Sequence, residues 1–404
     1  MRTTTFGLPE KVIFCKKCVE SNQRFLSSVQ HLDKPNQKKE TALFDEHGVC
    51  LACRYYERKE KIDWNLREKE LKDMMDRCRS KNGAYDVLIP GSGGKDSIFT
   101  SFILKEKYNM HPLTCTWSPG MYTNIGWKNY NSWLDSGFDN FLFSPNKKIH
   151  RLLTKLAFKN LLHPFQPFVI GQVTFASKIA MHHGIELIVY GDGYAERGIG
   201  KKDLTNKKIN NIDIPRNLYA KKDDEIFFGG IHEKELRNQY KLDKADLDPF
   251  MPIKEEMLYE KKLKILTINN YINYNPQSNY YFAKEKSNFQ VNPDGRSEGT
   301  YTKYSSLDDK LDGLHYYTWF IKTGRGRATE DATIEVRNKI ITRDEAVALV
   351  KKFDGEFPKK YFNDCLKYMD ITENEFFETI EKFRPAHLWT KVGNEWKLKN
   401  PVWK

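Results

Sequence analysis

The sequence predicts an α/β fold in which a parallel sheet is covered by helices. Short apolar runs alternate with helix-like segments between residues 85 and 200, and this alternation is typical of parallel strands joined by right-handed crossovers. A loop with three glycines, GSGGKDS, directly follows the first predicted strand. Because ligands bind at the carboxyl ends of the strands in such sheets, we expect the functional site at this loop.

Three strands are predicted, at Asp86–Pro90, Pro112–Trp117 and Glu186–Tyr190, each followed by turn residues. Beyond about residue 250 the pattern becomes helical, and two helix starts carry capping boxes, at Thr342 with Glu345 and at Thr372 with Glu375. We expect a small cysteine-containing module at 1–60, a linker helix at 61–84, a sheet domain at 85–250 and a helical substrate-binding region at 251–404.

The chain has 404 residues and a net charge of +12, which favours anionic partners such as phosphorylated small molecules, nucleic acid or anionic lipid. Part of this charge lies between Lys201 and Lys222, a segment that reads equally well as a solvated loop or as a lid over a polyanionic ligand. No apolar run reaches the length of a membrane span, and the N-terminus lacks a secretory signal. We therefore expect a cytoplasmic protein without a membrane partner.

The glycine loop is predicted to bind phosphate. Its spacing excludes the Walker motif and the dinucleotide fingerprint, but it matches SGG-x-DS. Backbone N–H groups between Ser92 and Ser97 can form a nest for phosphate oxygens, Lys95 can neutralise charge, and Asp96 can help to hold magnesium. The alternative is a glycine-rich turn that only caps the following helix through Asp96 or Ser97.

Two C-x-x-C pairs, at Cys15 with Cys18 and at Cys50 with Cys53, predict a metal site. Such pairs usually supply four thiolates to a structural zinc ion. The alternative is a group of four buried cysteines without a ligand. The remaining cysteines, at 78, 115 and 365, are isolated and are best explained as small buried side chains.

These motifs together resemble those of a known family. The SGG-x-DS loop is typical of the PP-loop ATP pyrophosphatases, and two C-x-x-C pairs before SGGKDS resemble the N-acetyl sugar amidotransferases within that superfamily. The most specific similarity is the block from Glu298 to Ala332, which begins EGTYTKYSSLDDKLDG and contains GRGRAT. Two further stretches, ITRDEAV at 341–347 and DGEFP at 354–358, also resemble the family.

The resemblance implies an enzyme that adenylates the acetamido oxygen of a UDP- or CMP-linked N-acetyl sugar. Ammonia then displaces AMP to give an acetamidino sugar for a bacterial surface glycan, such as lipopolysaccharide O-antigen or glycosylated flagellin. ATP, Mg²⁺ and a structural Zn²⁺ are the implied cofactors, and a separate class I glutaminase is the implied ammonia source. No nucleic acid partner is expected.

The expected site residues fall into four groups. Lys95, Asp96, Lys310, Arg325 and Arg327 are the catalytic candidates, with the last three expected at the α-phosphate. For ATP binding we expect Ser92, Gly93, Gly94, Lys95, Asp96, Ser97, Thr116, Trp117, Gly191 and Asp192. For substrate binding we expect Glu196, Glu298, Tyr301 and Asp309, and the three carboxylates among them are also candidates, which the sequence does not rank, for a general base. Metal ligands are Cys15, Cys18, Cys50 and Cys53 for zinc, and Asp96 and Asp192 for magnesium.

The chain departs from the family pattern in two places. After the third predicted strand the family usually has Gly-Glu-Asn and then Glu-Tyr-Gly, whereas this chain has GDGYAERG at 191–198. Asp192 keeps a carboxylate there, but Gly193 lacks the amide and Arg197 adds a cation, so the substrate is left open. The second departure is a long insertion between Cys18 and Cys50, for which we expect no catalytic role.

Two other functions remain open. A tRNA-modifying PP-loop enzyme, either a thiolation enzyme or a lysidine-type ligase, also fits a basic chain with zinc-binding cysteines. However, Cys115 and Cys365 stand alone, whereas thiolation enzymes generally need paired catalytic cysteines. A non-catalytic nucleotide-binding scaffold would bind ATP without turnover, and the intact Lys95, Asp96 and Ser97 argue against it.

Overall fold

The computed structural model describes residues 4–26, 29–191, 216–273 and 275–404. These residues include a five-stranded parallel sheet, in which Val87 pairs with both Pro112 and Leu187. Its strands lie across the sheet in the order β3-β2-β1-β4-β5, with bounds β1 Val87–Pro90, β2 Pro112–Trp117, β3 Asn140–Phe143, β4 Leu187–Tyr190 and β5 Lys264–Thr267. The predicted parallel α/β fold is confirmed.

Helices precede, connect and follow the strands. The first six are α1 Leu51–Lys59, α2 Trp64–Cys78, α3 Lys95–Phe102, α4 Asn124–Asp135, α5 Lys147–Leu161 and α6 Gln166–His183. The others are α7 Glu233–Tyr240, α8 Lys244–Leu247, α9 Glu255–Glu260, α10 Pro276–Ser287, α11 Asp312–Thr323, α12 Arg327–Arg337, α13 Arg343–Phe353, α14 Phe362–Met369 and α15 Glu373–Lys382. Two-residue strands occur at Tyr219–Ala220, Phe227–Phe228, Ile231–His232 and Ile253–Lys254, and an antiparallel hairpin, β6 Trp389–Val392 with β7 Glu395–Leu398, follows α15.

The sheet is buried on both faces, which explains why the inner strands β1 and β4 are apolar. Val87 and Ile89 of β1 face a cluster that contains Leu71 and Met75 of α2. Leu88, between them, faces the opposite cluster, which is built largely from α5 and α6. A helix therefore forms within the predicted 61–84 segment, at the shorter bounds Trp64–Cys78, and it covers one face of the sheet.

Two of the five strands were not predicted from the sequence. β3 is an edge strand in which Phe141 and Leu142 are exposed, so its side chains do not show a buried pattern. β5, at the opposite edge, lies in the region that the sequence analysis assigned to the helical part of the chain. The sheet therefore extends beyond residue 250.

The C-terminal region is helical, as predicted, and packs against the N-terminal residues. Both capping boxes are present: Thr342 accepts from the N–H of Glu345, and Thr372 accepts from the N–H of Glu375. Phe6 and Leu8 share an apolar cluster with Trp389 of the hairpin. Within the described ranges, no helix is both long enough and apolar enough to cross a bilayer.

Helix α6 packs closely against β2 at Gly171. A Cβ atom on Gly171 would stand 2.0 Å from Cε2 of Trp117, which itself packs against Phe143, Phe175 and Phe250. We therefore predict that Gly171→Ala lowers the free energy of unfolding by about 1–3 kcal/mol, the usual cost of overpacking a core. Urea unfolding followed by tryptophan fluorescence measures this, and an unchanged midpoint would show that the helix can move away from the sheet.

Candidate functional site

The glycine loop is held in a tight turn at the carboxyl end of β1. The N–H of Gly91 donates to the carbonyl of Cys115 at 2.9 Å, and a Cβ on Gly91 would stand 2.2 Å from the Cβ of Ser97. Gly93 has φ +79° and lies against the backbone of Tyr130, 2.7 Å from where its own Cβ would be. Neither position can take a side chain without a shift of the backbone.

Helix α3 begins within this loop, at Lys95. Its N-cap residue, Gly94, has no side chain that can accept from the N–H groups of the first turn, which have no partner within the helix. These groups and the positive end of the helix dipole favour an anion at this position. The Lys95 ammonium lies 2.5 Å from Oδ2 of Asp96, whose Oδ1 accepts from the side-chain amide of Asn279 at 3.0 Å.

A cleft of about 490 Å³ opens between this loop and the C-terminal helices. Its apolar wall comes from α6 and β4 and includes Phe165, Phe168 and Tyr190. Its opposite wall comes from residues 302–308, α11 and α12. Carboxylates outnumber cations among the described lining residues, which include Lys95 and Arg327 as cations and six carboxylates: Asp96, Asp308, Asp312, Glu330, Asp331 and Glu335.

Arg327, the first residue of α12, is the cation on the C-terminal wall. Its Nε donates to both carboxylate oxygens of Asp331, at 3.1 and 3.2 Å, and its Nη1 donates to the hydroxyl of Tyr316 at 2.6 Å. Burial opposes its charge, but Asp331 and Tyr316 raise the pKa of Arg327 well above its ordinary value. Arg327 is therefore a fixed positive charge opposite the glycine loop.

Two titratable side chains on α11 have pKa values moved by burial. Desolvation raises the pKa of Asp312 to about 6, with nearby Arg327 opposing the shift. Desolvation lowers the pKa of His315 to about 4, so that the ring is neutral near neutral pH. The cleft thus contains a carboxyl that titrates near neutrality, the property of a general acid or base.

Eight of the residues proposed for the site from the sequence line the cleft. Among the expected ATP-binding and catalytic residues, those that line it are Ser92, Gly93, Gly94, Lys95, Asp96, Ser97, Gly191 and Arg327. Asp192 and Glu196 lie outside the described residues, as does the rest of the GDGYAERG stretch after Gly191.

Thr116 and Trp117, expected at the ATP site, have their side chains in the core of the sheet. Thr116 accepts from the side chain of Asn140 at 3.0 Å, and the Trp117 ring packs against Phe175 and Phe250. Because β2 is covered by α6, the apolar wall of the cleft is supplied by α6 rather than by β2.

Two of the three cations expected at the α-phosphate lie away from the cleft lining. Lys310 pairs with the exposed carboxylate of Asp364 at 2.7 Å. Arg325 is buried, and its Nε donates to Glu20 at 3.0 Å. Arg327 is the only one of the three that lines the cleft within the part of the chain that the structure describes.

The other expected substrate-binding residues have structural contacts beside the cleft. Glu298 accepts from the backbone N–H of Lys360 at 3.2 Å, and burial raises its pKa. The Tyr301 hydroxyl donates at 2.7 Å to Glu335, which does line the cleft. Asp309 is buried, and its carboxylate accepts from the N–H groups of Gly120, Met121 and Leu311, at 2.7, 3.4 and 2.9 Å.

The four cysteines of the C-x-x-C pairs converge at a single buried position. Their sulfur atoms all lie within 4.8 Å of one another, and Cys15–Cys53 and Cys18–Cys50 are each separated by 3.8 Å. A tetrahedron of Zn–S bonds of about 2.3 Å has edges of about 3.8 Å, so the cluster fits a single tetrahedral metal ion. Backbone N–H groups of Lys17, Glu20 and Cys53 point at these sulfurs, at 3.4, 3.5 and 3.5 Å.

The cysteine cluster is joined to the wall of the cleft through α12. Arg337, at the C-terminal end of that helix, places Nη2 3.7 Å from the sulfurs of both Cys18 and Cys50. Four thiolates around a divalent ion carry a net charge of −2, which a buried guanidinium partly compensates. Arg327 and Asp331 of the same helix line the cleft. Helix α12 therefore contacts the cysteine cluster at one end and forms part of the cleft wall at the other.

The C-terminal part of the chain matches a known protein family. Residues 298–402 match the family described as "LPS biosynthesis protein WbpG-like, C-terminal domain". This region is similar to the WbpG-like family. The match covers α11 to β7 and confirms the suspected relationship where the sequence analysis found its most specific signal. No curated protein matches the chain in sequence.

Solved structures show only weak similarity to the whole chain. An NMN synthetase from Francisella tularensis is 11% identical over 69% of this chain and 94% of its own, with a TM-score of 0.32. The U34-tRNA thiolase NcsA from Methanococcus maripaludis, with its [4Fe-4S] cluster, is 11% identical over 85% of this chain and 98% of its own, with a TM-score of 0.30. A predicted tRNA methyltransferase subunit from Methanocaldococcus jannaschii is 14% identical over 49% of this chain and 74% of its own, with a TM-score of 0.24. We draw no conclusion from TM-scores this low.

Several residues of the cleft were not proposed from the sequence. Asn279, which contacts Asp96 beside the cleft, carried no signal, because a lone Asn on a helix is unremarkable. Eight polar or aromatic lining residues lie in or directly after the block that begins at Glu298, where helix periodicity alone did not separate cleft residues from surface residues: Tyr304, Asp308, Asp312, His315, Tyr316, Glu330, Asp331 and Glu335. The negative charge of the C-terminal wall was therefore missed.

The cysteine cluster predicts a defined metal content. Cys50→Ser removes one thiolate from the tetrahedral set, and we expect bound metal to fall below half an equivalent and the protein to lose solubility. Elemental analysis of the purified protein measures this and identifies the metal. Cys78→Ser, which changes a cysteine outside the cluster, is the matched control and should retain the wild-type content. Equal metal content in both variants would contradict the assignment.

The raised pKa of Asp312 predicts a pH-dependent effect on stability. The folded state binds the proton more tightly than the unfolded state, so this group's contribution is fully present below about pH 4 and is lost as pH rises through about 6. We expect Asp312→Asn to raise Tm relative to the wild type, and to do so more at pH 8 than at pH 5. Scanning calorimetry at both pH values tests this, and a larger gain at pH 5 would contradict the assigned shift.

Proposed function

We propose that the protein is an ATP-dependent, AMP-forming amidotransferase that converts the acetamido group of a nucleotide-linked N-acetyl sugar into an acetamidino group. The observation that carries the proposal is the cleft itself, in which the SGG-x-DS loop faces the charged wall of a WbpG-like region. Lipopolysaccharide biosynthesis, which the family's description names, supports a bacterial surface glycan as the destination of the product.

The glycine loop would hold the β- and γ-phosphates of ATP. Their oxygens accept from the N–H groups between Ser92 and Ser97, and Lys95 neutralises part of their charge. Mg²⁺ is usually held by one or two carboxylates together with phosphate oxygens, and Asp96 at the edge of the loop fits that requirement. When bound, the ion neutralises charge on the departing pyrophosphate. The Asn279 amide orients the Asp96 carboxylate.

Adenylation makes the amide carbon reactive. An amide is a poor electrophile because its nitrogen donates electrons into the carbonyl group. The acetamido oxygen attacks the α-phosphorus, the bond to the β-phosphate oxygen breaks, and pyrophosphate leaves with the electron pair. Arg327, fixed by Asp331 and Tyr316, stabilises the negative charge that develops on the α-phosphate oxygens.

Amination completes the reaction. Ammonia attacks the activated carbon, the carbon–oxygen bond breaks, and AMP departs with that oxygen. The nitrogen must lose a proton, and Asp312 is the favoured base because it lines the cleft and has a pKa of about 6. Glu298 and Asp309, which the sequence also offered for this role, do not line the cleft within the described chain, and Glu196 stays untested.

The acidic wall, which includes Asp308, Glu330 and Glu335, favours an amine nucleophile in the cleft. The WbpG-like match gives no preference to the tRNA-modifying alternative. Zinc is the proposed occupant of the cysteine cluster, and a class I glutaminase is the proposed source of ammonia.

The proposed reaction is tested by incubating the protein with ATP, magnesium, ammonium and a panel of UDP- and CMP-linked acetamido sugars. We expect AMP and pyrophosphate, together with a sugar product lighter by about one mass unit because NH replaces oxygen. Mass spectrometry detects the product and chromatography the nucleotides. Release of ADP, or turnover that is independent of the sugar, would contradict the proposal.

A variant of Asp96 tests whether this carboxylate takes part in the proposed reaction. Asp96→Ala removes the magnesium ligand at the loop, and we expect AMP formation to fall by at least about 10³-fold while metal at the cysteine cluster is unchanged. Asp364→Ala, which removes an exposed carboxylate outside the cleft lining, is the matched control and should keep wild-type activity. Comparable activity in the two variants would exclude Asp96 from the reaction.

A further inference from the structure

A tyrosine of the C-terminal wall lies against the lysine of the glycine loop. Tyr304 lines the cleft, and the Lys95 ammonium stands 5.5 Å from the centre of its ring. An ammonium group within about 6 Å of a ring face is attracted by the ring quadrupole. Lys95 is the first residue of α3, whereas Tyr304 belongs to the WbpG-like region. The contact therefore joins the glycine loop to the C-terminal part of the chain.

The Tyr304 ring is held in turn by a second aromatic ring. It stacks on Tyr280 of α10, with 5.2 Å between the ring centres and 24° between their planes. Tyr280 is buried in an apolar cluster that also contains Ile98 and Phe102 of α3. Because Tyr280 packs in the same cluster as α3, the Tyr304 ring is placed relative to the helix that begins at Lys95.

Helix α10 also contacts the carboxylate of the glycine loop. Asn279, next to Tyr280, donates its side-chain amide to Oδ1 of Asp96 at 3.0 Å, while Oδ2 of Asp96 lies 2.5 Å from the Lys95 ammonium. The side chains of Lys95 and Asp96 are mostly buried. Both charges of the loop are thus restrained from α10, one directly by Asn279 and one through the stacked tyrosines.

Restraint of the Lys95 side chain favours phosphate binding. A lysine has four rotatable side-chain bonds, so fixing its ammonium on a phosphate costs conformational entropy. A ring that already confines the ammonium within the cleft removes part of that cost before the ligand arrives. The ring also differs from a carboxylate, because it offsets the charge without occupying lone-pair acceptors, so the N–H donors of Lys95 stay available for phosphate oxygens.

We propose that Tyr304 is a positioning residue for Lys95: its ring, supported by Tyr280, holds the ammonium where it meets the phosphates of ATP. The inference rests on the proposed function, because it needs ATP at the glycine loop. The WbpG-like region then contributes to the ATP site as well as to the sugar site. The ring is the part of Tyr304 that does this, since its hydroxyl makes a long contact of 3.5 Å with Glu335.

The test is a double-mutant cycle that separates the contact with Lys95 from packing. Tyr304→Leu removes the ring and Lys95→Met removes the charge, and the two changes are made singly and together. Tyr304→Phe keeps the ring. Tyr259→Leu, the same change at an exposed tyrosine outside the described cleft lining, is the matched control. Calorimetric titration with magnesium and α,β-methylene ATP, without sugar, gives Kd, and the stoichiometry counts the protein that is folded.

We expect Tyr304→Leu to raise Kd for the analogue about three- to tenfold. Tyr304→Phe and Tyr259→Leu should stay within about twofold of the wild type. In the Lys95→Met background, Tyr304→Leu should change Kd by less than about twofold, because the charge that the ring holds is gone. An equal rise in both backgrounds, or a rise in Tyr304→Phe as large as in Tyr304→Leu, would overturn the role of Tyr304.

AMP formation by the wild type judges the proposed function separately. A wild-type protein that follows the expected cycle but forms no AMP with any sugar nucleotide would support the role of Tyr304 and overturn the amidotransferase. AMP formation together with an equal rise in both backgrounds would overturn the role of Tyr304 alone. Failure of the wild type to bind the analogue would overturn both.

Discussion

The geometry of the cleft depends on the buried attachment of α12 to the N-terminal module. Arg325, just before the helix, is paired with Glu20 at 3.0 Å, and Arg337 at its other end contacts the cysteine sulfurs. Removing one partner of such a buried pair costs about 3–5 kcal/mol, because the other charge is left without compensation. Between these two anchors the helix presents Arg327 and Asp331 to the glycine loop. A module with little core of its own thus fixes one wall of the site.

The charge of the cleft differs from that of the chain. The chain carries +12, yet six carboxylates and two cations line the described part of the cleft. An acidic wall opposite a phosphate-binding loop repels ATP unless cations intervene, which supports magnesium and a nitrogen nucleophile as participants. The net charge of the whole chain favoured phosphate and nucleic acid as partners, but it does not predict the charge of the cleft.

The sequence was informative where the local pattern determines the local structure. The glycine loop, the cysteine cluster, α2 and both capping boxes could be predicted because each depends on a few neighbouring residues. β3 was missed because an edge strand has no buried pattern. The partners of Arg325 could not be predicted, since they lie on segments that are distant in sequence and meet only in the fold.

The proposed function requires the loop at the end of β1 to hold the two outer phosphates of ATP, with the inner phosphate facing Arg327. A crystal structure with magnesium and the α,β-methylene analogue of ATP, which cannot be cleaved between the α- and β-phosphates, tests this requirement. We expect β- and γ-phosphate oxygens within hydrogen-bond distance of the N–H groups of residues 92–97, and the α-phosphate on the side of Arg327. A triphosphate bound elsewhere, or turned so that its α-phosphate sits in the loop, would contradict it.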